Sequence, residues 1–170
     1  MKSTFRTSIA GALLAITATA FQVAQAADTP STAQPTVSER LQNARDAIKA
    51  NKWQPAIAEL RIAVRDEPKN ADAHNLLAYS YRKQAKPDLA KAFEHYKIAL
   101  QIDPKHKGAH EYIGEAYLTD KKPAEADRHL AELEKICGNK TCEEYVDLAS
   151  AIAKYKATGQ ASNQPKSRYQ

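Results

Sequence analysis

Cys137 and Cys142 are the only two cysteines of the 170-residue chain, and they flank the turn Gly138-Asn139-Lys140-Thr141. Such a pair can close a disulfide, hold a soft metal or act as a redox dithiol, and the surrounding residues separate these uses. Thiol oxidoreductases use C-x-x-C and covalent haem attachment uses C-x-x-C-H, neither of which fits, while a zinc centre needs two more ligands. His129 lies more than a helical turn from Cys137, so a Cys–His nucleophile is not expected. Among the 5 histidines, His106 and His110 stand at i, i+4, a spacing that can place two imidazoles on one helix face. Yet His74 and His110 share one recurring slot and His95 and His129 another, which reads as packing or surface rather than metal ligation. Glu111 and Glu115 also share a face. A general acid needs a buried carboxyl, and on an exposed helix these two read as a solvated face. No G-x-S-x-G, H-E-x-x-H or phosphate-cradling glycine loop occurs, and the chain holds only 5 glycines. No catalytic residue, metal or cofactor is expected.

The first residues bear on compartment. Lys2 and Arg6 give a basic start, Ile9 to Phe21 is apolar, and Ala24-Gln25-Ala26 is a small-x-small cleavage site, so residues 1–26 read as a cleaved secretory signal. The apolar run is short and rich in Ala and Thr for a membrane anchor. No Cys stands at the cleavage site to carry lipid, and no later apolar run could cross a bilayer. The expected location is the periplasm or the medium. In such a compartment the even cysteine pair reads first as a disulfide joining one helix to the next, with two free thiols as the alternative. The net charge of +5 falls by two on cleavage because Lys2 and Arg6 leave without an acid. Lys166 and Arg168 sit near the C-terminus, and the remaining charges alternate in sign. Nucleic acid is not an expected partner, since no Arg-rich stripe with interleaved aromatics tracks phosphates.

The elements that must position these side chains are read from a repeat. His74-x2-Leu77-Ala78-x2-Tyr81 returns 36 residues later as His110-x2-Ile113-Gly114-x2-Tyr117. Ala56-x3-Leu60-x2-Ala63-x4-Pro68 returns as Ala92-x3-Tyr96-x2-Ala99-x4-Pro104, and a third copy begins Ala126-x3-Leu130-x2-Leu133. A period of this length marks a solenoid of helix pairs. Thr36-x-x-Glu39 is a capping box for the first helix. The second helix is expected to start at Pro55 with Trp53 packed at the turn, and Asn70 caps the third. The fourth is expected to start at Pro87, and the pair from Lys105 to Leu118 and Pro123 to Ile136 follows. Small residues at Ala56, Ala78, Ala92, Gly114 and Ala126 let helices approach closely, while Leu60, Leu77, Tyr96, Ile113 and Leu130 fill the neighbouring gaps. Thr141-x-x-Glu144 reads as a further capping box, opening a one-faced helix through Tyr145, Leu148, Ile152 and Tyr155 that would cover the last apolar surface. Residues 27–36 read as a flexible linker and residues 157–170 as a disordered tail.

At these residues the chain resembles the tetratricopeptide repeat family, whose pattern combines a bulky residue, Leu-Gly and Tyr on the first helix with Ala, an aromatic or Leu, and Pro on the second. The units span about 37–70, 71–106 and 107–140, with a capping helix over 141–156. The first unit departs from the pattern, showing Arg40 and Asn43 where the family has its bulky residue and Leu. The second carries two extra residues near Ala85-Lys86-Pro87. The block from His106 to Lys156 looks like small exported bacterial proteins of this family that end in a Cys pair and a final helix. The resemblance implies an all-α, right-handed solenoid of three helix pairs.

It also implies where a partner would sit. In the family the first helices line a concave groove, which maps here to Leu41, Arg45 and Ile48, then Asn75, Tyr79 and Arg82, then Glu111, Glu115 and Leu118. The clamp that holds a C-terminal carboxylate in chaperone-docking relatives is absent, since Leu41, Leu76 and Tyr112 stand at its positions. The expected function is a periplasmic adaptor or scaffold that binds a protein or peptide of the cell envelope. The alternative is a non-catalytic structural or assembly factor for an envelope complex at the outer membrane or cell wall.

Overall fold

The computed structural model describes residues 34–163. The proposed signal, most of the linker and the last residues of the tail lie outside them. Seven helices and no strand are found among the described residues: α1 (Val37–Lys49), α2 (Trp53–Asp66), α3 (Ala71–Lys83), α4 (Leu89–Ile102), α5 (Lys107–Thr119), α6 (Pro123–Cys137) and α7 (Glu143–Asn163). No described helix is long and apolar enough to cross a membrane.

Local signals set most of the boundaries. The Thr36 hydroxyl accepts from the Glu39 amide at 3.3 Å while Glu39 accepts from the Thr36 amide at 2.8 Å, completing the expected box. Asn70 and Asp88 accept from the amides of Ala73 and Lys91, and His106 Nδ1 accepts from the Ala109 amide. The turns after α1 and α5 are alike. Asn51 and Lys121 take positive φ values of 55° and 59°, letting the Lys52 and Lys122 amides donate back to Ala47 and Tyr117. The middle unit cannot use this turn because of its two extra residues, and Asp88 instead donates its amide to Tyr81.

Several boundaries differ from expectation, among them the head of α5, which starts at Lys107 rather than Lys105. Helix α2 begins at Trp53, with Pro55 inside a first turn that has no amide bond to lose. Helix α4 begins at Leu89, because Asp88 supplies the side-chain cap and leaves Pro87 in the turn. Thr141 does not cap α7: its hydroxyl and amide are both taken by Asn139 Oδ1, at 2.8 and 2.9 Å. Helix α7 also continues to Asn163 where a disordered tail was expected from 157, with the Thr158 hydroxyl turned back onto the Lys154 and Tyr155 carbonyls.

Consecutive helices pack as hairpins, and each hairpin packs on the next. The first helices also meet one another, α1 with α3, α3 with α5 and α5 with α7, whereas α2 and α4, and α4 and α6, do not touch. An array closed on one side and splayed on the other bends, with α1, α3, α5 and α7 on the inside. Three apolar clusters follow one another along it, between α1, α2 and α3, then α3, α4 and α5, then α5, α6 and α7. Ala44, Ala56, Ala63, Ala73, Ala78, Ala92, Ala99, Ala109, Ala116 and Ala126 are all fully buried, as close backbone approach requires. Gly114 shows why the last unit needs still less bulk. A β-carbon there would stand 2.7 Å from both terminal methyls of Leu148 on α7.

Candidate binding face

The inner layer carries a line of polar side chains that crosses from helix to helix. Arg45 on α1 reaches Asp72 on α3 at 3.5 Å, and Asp72 accepts the His106 ring at 3.0 Å, at the head of α5. Beside this line runs an aromatic row. Tyr79 packs edge-on to Trp53 with ring centres 6.2 Å apart, and against Tyr112 at 4.7 Å. The Arg82 guanidinium lies 5.4 Å above the Tyr79 ring, with the Lys83 ammonium at 5.9 Å. All three rings are half-buried, so each keeps an exposed part.

Arg82 is the buried centre of this region. It pairs with Glu115 at 2.5 Å across α3 and α5, and its Nε donates to the Tyr96 hydroxyl at 3.4 Å. Burial works against its charge, but Tyr96 and Glu115 hold it above the usual guanidinium range. Tyr96 is itself fully buried and its hydroxyl pushed up, first by burial. Burial raises Tyr112 to about 12, with Glu111 adding to it. Asn75 is 5% exposed, its amide group beside Gly108, and its Oδ1 finds no hydrogen-bond partner.

Glu111 corrects the expectation of a solvated carboxylate face. It is 8% exposed, and its pKa is raised to about 8 by burial first, then by Glu115, Asp147 and Glu144, with Arg82 opposing. The reason is α7, which packs on α5 and carries Glu144 and Asp147 toward it. Glu144 in turn reaches Lys107 at 3.3 Å.

Of the residues placed in the groove by resemblance, Arg45, Tyr79, Arg82, Glu111 and Glu115 come together on this inner face, with Asn75 buried in its floor. Leu41 and Leu118 do not line it. Each is 8% exposed, Leu41 in the first apolar cluster and Leu118 in the third, where α7 helps cover it. Ile48 packs partly against the first cluster. Sequence reasoning missed Asp72, Lys83, His106, Tyr112 and Asp147 as part of the face. The i, i+3 pair Glu144 and Asp147 on the presumed cap helix was the available signal for an acidic end.

The histidines do not gather a metal. His106 faces Asp72, while His110 turns to the second helix of its own unit, where its Nδ1 lies 2.9 Å from His129 Nδ1. His74 and His95 form the same pair in the preceding unit at 3.0 Å. In the first unit the same two slots hold Arg40 and Glu59, which form an ion pair at 2.8 Å. Cys137 and Cys142 are joined in a disulfide, with an S–S distance of 2.09 Å. Glu144 lies near the two sulfurs, but bonded sulfurs offer no thiolate to an ion.

These features define a helical-repeat protein whose inner layer presents an aromatic and charged face. Residues 41–107 match the model of the tetratricopeptide repeat family. Its fold is similar to the first TPR domain of the human RPAP3 protein, at 17% identity and a TM-score of 0.63 over 74% of this chain and 96% of that one. The TPR2B domain of yeast Sti1, solved in complex with pHsp70, gives 15% identity and a TM-score of 0.64 over 72% and 97%. The Yersinia enterocolitica type III secretion translocator chaperone SycD gives 15% identity and 0.62 over 79% and 99%. No curated protein matches the chain in sequence.

Proposed function

We propose that this chain is a periplasmic adaptor that binds a protein or peptide of the cell envelope across its inner face and carries out no reaction of its own. The observation that carries this reading is the row Trp53, Tyr79 and Tyr112, half-exposed and bordered by the Arg45–Asp72 and Arg82–Glu115 pairs. Rigid aromatic rings beside fixed charges supply contact area at low entropic cost, with polar groups to set register. The yeast Sti1 domain of the same fold is solved with a bound pHsp70 partner, which supports a binding role for such a face. Export rests on the segment from Lys2 to Ala26, and a cysteine pair that is oxidised suits that compartment.

Two measurements test the reading. Crosslinking and pull-down from envelope extract should capture a defined set of proteins that is lost with Tyr79→Ala and with Arg82→Glu. An unchanged set would overturn the binding face. N-terminal sequencing of the protein from a periplasmic fraction should begin at Ala27, and a retained Met1 in a cytoplasmic fraction would refute export.

A further inference from the structure

The acidic end of the inner face is not neutral in its pairing. Arg82 is held by Glu115 and Lys107 by Glu144, which leaves Glu111 and Asp147 with no cation of their own. Glu111 is 8% exposed, and its carboxyl oxygens, which pair with no described residue, are not among the fully buried atoms left without a partner, so they keep an edge open to solvent. A carboxyl held in a mostly apolar surround with only that edge open favours a cation that reaches it. It adjoins the aromatic row, since its charge is felt by both Tyr79 and Tyr112. An aliphatic stem ending in a positive charge matches that sequence of surfaces, the stem over the rings and the head at the carboxyls.

We propose that the segment received by the inner face carries a lysine or arginine whose charged head enters between Glu111 and Asp147 while its methylene stem lies over Tyr112 and Tyr79. This rests on the binding reading above and names the chemistry of the partner. It has a consequence in protons. The groups facing Glu111 are Arg82 and Tyr79 from α3, Glu115 and Tyr112 from α5 itself, and Glu144 and Asp147 from α7; Tyr96 of α4 acts through Arg82. With its pKa near 8, Glu111 is protonated at neutral pH. An incoming cation favours the carboxylate, so the acid O–H gives its proton to solvent as the ion pair forms. Binding at pH 7 therefore releases about one proton, and the release fades as the pH is taken above the Glu111 value.

The test uses a short blocked peptide of alternating leucine and lysine, with a twin carrying norleucine for lysine, in calorimetry across buffers of different ionisation heat. The lysine peptide should bind at least roughly tenfold more tightly than its twin and release about one proton at pH 7. Glu111→Gln, which mimics the protonated acid and so keeps the fold, should abolish the release and weaken the lysine peptide by about tenfold or more. Asp147→Asn should weaken it less and leave the release in place. Equal affinity for the two peptides, no detectable lysine-peptide binding, or an unaltered Glu111→Gln variant would each overturn the assignment. If both peptides bind alike and Tyr79→Ala weakens both, the binding face survives and only its cationic subsite is lost.

Discussion

His110 and His129 meet nitrogen to nitrogen, their Nδ1 atoms 2.9 Å apart, while His110 Nε2 lies 3.0 Å from the Pro104 carbonyl oxygen. A carbonyl only accepts, so Nε2 carries the proton and the His110 Nδ1 is an acceptor. His129 must then donate from its own Nδ1. His74, His95 and Pro68 repeat the arrangement. The arrangement needs a bare His110 Nδ1, because a proton there would set two N–H groups against each other, whereas one added at His129 Nε2 leaves the bond in place.

Acid should therefore loosen the two later units. Burial, then His110, lowers His129 from its ordinary 6.5 to about 4, and burial also lowers His74 and His95. The unfolded chain takes up protons below pH 6.5 while the folded rings resist, so stability is full above that value and falls as the pH drops toward 4. After allowance for partial exposure the loss should be about 1–2 kcal/mol for His129. Urea unfolding between pH 7 and 4 checks it, and His129→Phe should flatten the profile.

The first unit should be repairable with the histidine chemistry of the others. Arg40→Ala leaves Glu59 without its partner and should cost about 2 kcal/mol. Replacing both, Arg40→His with Glu59→His, should recover most of that loss in equilibrium unfolding. A double variant no better than the single would show that the slot is not equivalent.

Gly114 should resist enlargement because of Leu148. Gly114→Val should destabilise by about 2–3 kcal/mol and raise hydrogen exchange in α7 above that in α1. Leu148→Ala in the same chain should return part of the loss by making room.

Reduction of Cys137–Cys142 should cost about 2 kcal/mol, the value expected for so short a closed loop. The effect should centre on the junction of α6 and α7. Mass spectrometry of unreduced protein should show the bond intact, and two alkylatable thiols would contradict it.

Much of the helical array was legible because its punctuation is local. Thr36 with Glu39, Asn70 and Pro123 act within one turn, and recurring Ala, Leu and Tyr positions gave the packing face. The start of α4 is not legible from Pro87, because Asp88, whose carboxylate holds the Lys91 amide, sets it at Leu89. The Glu111 environment is hidden for a different reason: α7, which packs on α5 and brings Glu144 and Asp147 to act on it, lies beyond the repeat. The histidine pairs sit on separate helices 21 and 19 residues apart, so single-helix spacing could not join them. Placing Arg40 above His74 and Glu59 above His95 would have exposed their complementarity, since an ion pair in one unit reports that the two slots face each other.

The missing contacts between α2, α4 and α6 have a mechanical meaning. Each outer helix is tied forward through the inner helix of the next unit, as α2 is to α3 and α4 to α5, so any change in the spacing of outer helices is taken up in those apolar seams.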